Sequence, residues 1–174
     1  MADMRLLIPL NGLTATENCF SWHVGKEFFD SFGNSEISDA GLDVSATVEK
    51  KGRKVFVECR AEGTVTVACD RCLEELDMPV EAHADLEVRF GEGDDDEEDG
   101  REVVFVDADE QELDLSQIVY DYVCLSLPMQ RTHRPGECNP DTIRYMGAAG
   151  PAEGSPDETE TDNPFLALKG LFQG

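Results

Sequence analysis

Positive charge is scarce in this chain. Lysine and arginine together number 14 against 38 aspartates and glutamates, which leaves a net charge of −24. A field of that sign repels phosphate backbones and anionic headgroups at long range. Any direct nucleic-acid contact must therefore be local, and basic proteins are the favoured partners. Long apolar runs are lacking as well. None approaches the ~20 residues of a membrane span, and MADMRLLIPLNGL has neither the basic start nor the long apolar core of a signal peptide. The expectation is a soluble, cytoplasmic protein with no membrane partner. Catalytic signatures are absent too: no Gly-rich phosphate loop, no HExxH and no nucleophile elbow. His23, His83 and His133 fall on unrelated segments, and the carboxylates crowd into solvated runs. No catalytic residue is expected.

What the chain does have is alternation. Leu42, Val44, Ala46 and Val48 alternate with Asp43, Ser45, Thr47 and Glu49; Lys51-Gly52 makes a turn, and KVFVECRA resumes a β-rich run. This pattern predicts a hairpin. TVTVAC and then MPVEAHADLEVRF, apolar at every second position from Val80 to Phe90, extend the series of strands. MRLLIPL reads as a short strand, whereas ENCFSWHVGKEFFDSF is aromatic-rich and ambiguous between strand and helix. Leu115, Ile118, Val119 and Tyr122 recur at helical spacing in LDLSQIVYDYVCLSLP, which Pro128 closes. Asp114 and Gln117 suggest a capping box there, and Leu113 a staple onto Ile118.

The predicted fold is α+β over residues 1–146. It consists of a mostly antiparallel β sheet or partly closed barrel with one main packed helix. EGDDDEED over 92–99 is too charged to bury and reads as a solvated loop; between Glu92 and Asp114 thirteen acids and one base supply half the net charge. An acidic low-complexity linker, expected to be disordered, spans 147–163. A short amphipathic helix follows over 164–174, where Phe165, Leu168 and Leu171 or Phe172 share one face.

Six cysteines, Cys19, Cys59, Cys69, Cys72, Cys124 and Cys138, would stay reduced in the cytosol, so a disulfide framework is disfavoured. Cys69-x2-Cys72 lets two thiolates reach one tetrahedral ion, and RTHRPGECNP offers His133 and Cys138 as a second pair. Together they would make a Cys3His zinc site. The 60 residues between the pairs leave their proximity open, and the plain alternative is a strand end and turn with a solvent-facing His133. Cys59 and Cys124 read as core thiols. A thioredoxin-like role for CDRC is weaker, because that chemistry wants the first cysteine at a helix N-terminus and the surroundings here read as antiparallel strands. The hairpin KKGRK gathers Lys50, Lys51, Arg53 and Lys54, four of the fourteen bases. These residues suit a local phosphate or partner contact, or equally a solvated turn that blunts a sheet edge.

Taken in order, CDRCLEEL at 69–76 after hairpin strands, the acidic loop, ELDLSQIVYDYVCLSLPM at 112–129, a cysteine-bearing loop and NPFLALKGL at 163–171 resemble the YceD family, the large ribosomal RNA subunit accumulation proteins. The resemblance covers most of residues 10–172. It implies a bacterial, cytoplasmic, non-enzymatic ribosome biogenesis factor that supports accumulation of large-subunit ribosomal RNA, through precursor processing or subunit assembly. Many members carry cysteines in the loop after the LP motif. In LPMQRTHRPGEC, His133 stands near the first of these and Cys138 at a later one, a departure that keeps ligand chemistry because imidazole replaces thiolate at zinc. With this charge, the implied partner is a basic ribosomal protein or assembly factor, within a pre-ribosomal particle. The alternative is a thiol-based redox or metal-dependent enzyme centred on Cys69 and Cys72.

Overall fold

The alternation from Leu42 to Phe90 becomes three long strands in the computed structural model, which describes residues 5–14, 17–52, 54–91 and 101–148. The acidic loop 92–99, Arg53, the C-terminal helix and nearly all of the linker lie outside the described residues. The chain divides into two units, Met1–Cys138 and Asn139–Gly174.

In the first unit β1 is Leu7–Pro9, β2 Asn18–Gly25, β3 Ile37–Lys51, β4 Lys54–Ala68, β5 Glu75–Phe90, β6 Glu102–Val106 and β7 Glu112–Asp114; α1 is Lys26–Ser31 and α2 Ser116–Ser126. Five strands form one sheet in the order β2-β3-β4-β5-β6, and β1 pairs with β7. The sheet is open, so of the two architectures expected the open sheet is the one formed. All pairings are antiparallel except β5–β6, where Leu86 to Phe90 lie beside Glu102 to Val106 in parallel. Hairpin connections carry the chain through β3, β4 and β5, but β6 returns by a crossover.

One face of the sheet is apolar, since period-two side chains at Leu42, Val44, Val55, Val57, Val65, Leu86 and Val88 all point to it and are buried. α2 lies over β4 and β5. Beneath it the cross-strand neighbours are small: Ala46, Cys59 and Ala84 share one row, and Val44, Ala61 and Ala82 the next. Small residues let the helix approach closely and seat Val119 and Val123, each fully buried and contributing about 1.5–3 kcal/mol. Cys59 sits in this layer, and burial pushes its thiol up to about 11. Cys124 is half-buried on α2, also with a raised thiol because of burial. Both are packed thiols, as expected, and Cys19 is exposed.

The ambiguous aromatic segment is half strand and half helix. Phe20 and Trp22 face the core from β2, after which the chain turns into α1 and buries Phe28 and Phe29. Phe32 stacks on Tyr120 of α2 at 4.4 Å, and Asn34 Nδ2 donates to the Tyr120 hydroxyl at 3.1 Å.

The cap of α2 differs from the expected box. Asp114 Oδ1 does accept from the Ser116 backbone N–H at 2.9 Å. The N-cap position, however, falls on Leu115, and Gln117 reaches forward to Asp121 at 2.8 Å instead of back. The reason is β7: Asp114 is the last residue of a strand paired with Leu7, so its own N–H is placed by the sheet and not by a helix box. Leu6 reinforces the junction, its N–H donating to Ser116 Oγ and its carbonyl accepting from Leu115.

In the second unit, α3 spans Pro140–Ala148. Asn139 Oδ1 accepts from the Asp141 N–H at 2.9 Å, and Pro140 opens the first turn, where its missing N–H costs nothing. The sequence reading placed only turns and the start of the linker here.

Candidate metal centre

Strand β4 ends at Ala68 and β5 begins at Glu75, with six residues between them. The connection is knotted by its own backbone: Cys69 N–H donates to Glu74 O at 2.8 Å and Leu73 N–H to Cys69 O at 2.9 Å. To close this turn Leu73 adopts φ 63°, in the left-handed region, the one non-glycine to do so among the described residues. Cys69 and Cys72 thereby point to the same side, both buried.

The second half arrives from the segment after α2. Asp70 N–H donates to Arg131 O at 2.7 Å, and Arg131 N–H donates to Asp70 Oδ2 at 2.6 Å. The Arg131 side chain continues to Glu36 at 3.0 Å. A turn with Gly136 at φ 91°, closed by Glu137 N–H onto Arg134 O, then brings Cys138 back to His133.

The expected four residues meet. The ligand atoms of Cys69, Cys72, His133 and Cys138 all lie within 4.8 Å of one another. His133 Nδ1 is 3.4 Å from Cys72 Sγ and 4.0 Å from Cys138 Sγ. Its other nitrogen, Nε2, lies 3.1 Å from the Glu75 carbonyl oxygen. A carbonyl only accepts, so Nε2 carries a hydrogen and Nδ1 is the nitrogen that faces the sulfurs. His133 is thus not the solvent-facing residue of the plain alternative.

Burial pushes the Cys69 thiol up, but backbone N–H groups of Cys72, His133 and Arg71 aimed at its sulfur outweigh that and bring it down to about 6. The His133 ring is raised, first through its contact with Cys69. Cys138 is raised by burial and by the two neighbouring sulfurs. Three sulfurs and an imidazole converging on one point form a soft donor set, suited to zinc and poorly suited to hard cations. Cys69 follows a strand and precedes a turn, so it lacks the helix N-terminus on which a redox dithiol depends.

The family model for the large ribosomal RNA subunit accumulation protein YceD matches residues 57–172, about two thirds of the chain, with all four clustered Cys and His residues inside the match. The chain belongs to the YceD family. That description ties this YceD-family protein to accumulation of large-subunit ribosomal RNA. No curated protein and no solved structure matches it. Among the described residues no helix is long and apolar enough to cross a membrane.

The basic hairpin is partly engaged within the protein. Lys51 Nζ lies 2.8 Å from Glu49 and over the Phe56 ring, and Lys54 Nζ is 2.9 Å from the buried Glu87. Lys50 is exposed. A grouping missed in the sequence is Glu58, His83 and Asp85 on the outer face of the sheet. His83 Nε2 is 3.3 Å from Glu58 and 3.5 Å from Asp85, while Arg60 already holds Glu58 at 2.6 Å. Registering β4 against β5 would have revealed it, since Glu58 pairs with Asp85 and Arg60 with His83. These are surface ion pairs worth little individually.

Proposed function

We propose that this protein is a non-enzymatic assembly factor that supports accumulation of large-subunit ribosomal RNA by binding a basic ribosomal protein or assembly factor within a pre-ribosomal particle. The observation that carries this reading is the family match over residues 57–172. Charge narrows the mode of action. At −24 the chain gains by engaging a cationic protein and loses by coating RNA, so its acidic segments serve as a mimic of RNA charge. Exposed Lys50, with Lys51, Arg53 and Lys54, supplies at most a local phosphate contact beside that protein interface.

The test measures binding of the full chain to large-subunit precursor particles and to the same precursor RNA freed of protein, across a salt series. Tighter binding to the particle, weakened by salt and by neutralising Asp94 to Asp99, supports the proposal. Equal affinity for the naked RNA would overturn it, as would binding that is indifferent to those substitutions at low salt.

A further inference from the structure

The apolar core takes in Cys59 but leaves out Cys69, Cys72 and Cys138, which are buried apart from it around the edge of a histidine ring. Two turns that share no strand pairing are brought together at this point. Burial of three thiols against one imidazole, away from the hydrophobic layer, needs an explanation that packing does not supply.

We propose that Cys69, Cys72, His133 and Cys138 hold one zinc ion in a closed tetrahedral site, with His133 ligating through Nδ1, whose purpose is to clamp the segment after α2 onto the β4–β5 turn. This inference is independent of the ribosomal role. A tetrahedron with Zn–S bonds of ~2.3 Å and a Zn–N bond of ~2.0 Å has edges of roughly 3.5–3.8 Å. The 3.4 Å and 4.0 Å separations from Nδ1 to two sulfurs bracket those edges, and no pair of ligand atoms exceeds 4.8 Å. The tautomer is already set, because the Glu75 carbonyl takes the Nε2 hydrogen and orients the ring, the arrangement that metal-bound histidines use. The backbone N–H groups of Arg71, Cys72 and His133 directed at the Cys69 sulfur are the donors a zinc-bound thiolate requires. All four positions are filled by protein, which leaves none for water or substrate and makes the site structural. Binding releases the thiol protons, and the three thiolates leave the centre with a charge of −1, spread over those N–H donors.

The experiment uses untagged full-length protein purified under reducing conditions without chelator or added metal. Elemental analysis is expected to give one zinc per chain, and thiol titration with a mercurial should release the ion as the ligating thiols react. Cobalt(II) added to the metal-free protein should give the intense visible bands of a tetrahedral sulfur-rich site. Cys138→Ser and His133→Ala should lose the zinc, His133→Cys should retain it, and Cys59→Ala should leave it unchanged. Where a ligand variant fails to fold, the cobalt spectrum of the unaltered chain decides. The proposal is overturned if unaltered protein carries no zinc and gives no tetrahedral cobalt spectrum. It is equally overturned if a folded Cys138→Ser or His133→Ala protein keeps full zinc occupancy.

Discussion

Leu73 holds a backbone angle that an L-residue with a branched side chain rarely accepts, and it holds it with its side chain exposed. The left-handed region costs such a residue about 1–2 kcal/mol, so the turn between Cys69 and Glu74 overrides a local preference. Glycine relieves that strain at the expense of some unfolded-state entropy. Leu73→Gly should therefore raise the urea midpoint by the equivalent of about 0.5–1 kcal/mol. A fall in stability would show that the leucine side chain contributes contacts that outweigh its strain. Glu87 offers a residue-scale test of another kind. It is buried on the outer side of β5 between Arg89 Nε at 2.8 Å and Lys54 Nζ at 2.9 Å. Hydrogen bonds from Arg89 and then Lys54 hold its carboxyl below the ordinary value near 4.5. A depressed folded value means the stabilisation is present above the unfolded value and is lost as pH falls through the folded one. Urea midpoints for Glu87→Gln should accordingly fall less steeply than those of the unaltered chain between about pH 5 and pH 3. Parallel acid limbs would remove Glu87 from the account.

At the scale of elements, β3 and β4 were legible because the period of two is unbroken from Leu42 to Glu49 and Lys51-Gly52 interrupts it where the turn falls. The segment through Phe20 and Phe29 was ambiguous because a strand passes directly into a helix there, with no apolar gap to mark the change of period. The signal for α3 was present in Asn139-Pro140-Asp141, a cap, a proline at the first turn and an acid, but its low overall hydrophobicity hid it beside a low-complexity stretch. The parallel return of β6 could not be read, since alternation fixes which face a residue takes and says nothing of strand direction. The same limit applied to the candidate site: spacing named Cys69, Cys72, His133 and Cys138, while their meeting depended on Asp70 and Arg131, whose pairing leaves no sequence trace. Within β4, Gly63 carries φ 152°, and a Cβ there would overlap the Gly41 carbonyl oxygen and crowd Leu42 on β3. Gly63→Ala should thus cost about 2 kcal/mol or more in equilibrium unfolding, well beyond the usual effect of adding a methyl group. An unchanged midpoint would mean that β3 moves aside freely.

For the whole molecule the dominant quantity is charge. With 38 acids and 14 bases the folded chain repels itself more than an expanded one does, and only partly local pairs such as Lys51–Glu49 relieve this. Raising sodium chloride from ~0.01 M to ~1 M shortens the screening length from about 30 Å to about 3 Å. The urea midpoint should rise across that series. A flat or falling midpoint would show that short-range ion pairs, which salt weakens, outweigh the general repulsion.

The pairing of β1 with β7 has a consequence in time. Leu6, Ile8 and Leu10 are buried, yet their partners run from Gln111 to Ser116. On a chain made from its N-terminus at ~5–20 residues per second, the first strand emerges roughly 5–20 s before anything exists for it to pair with. This strand, made early, is therefore among the last to find its place. During that interval three apolar side chains are left for a chaperone, or for an unwanted neighbour, to cover.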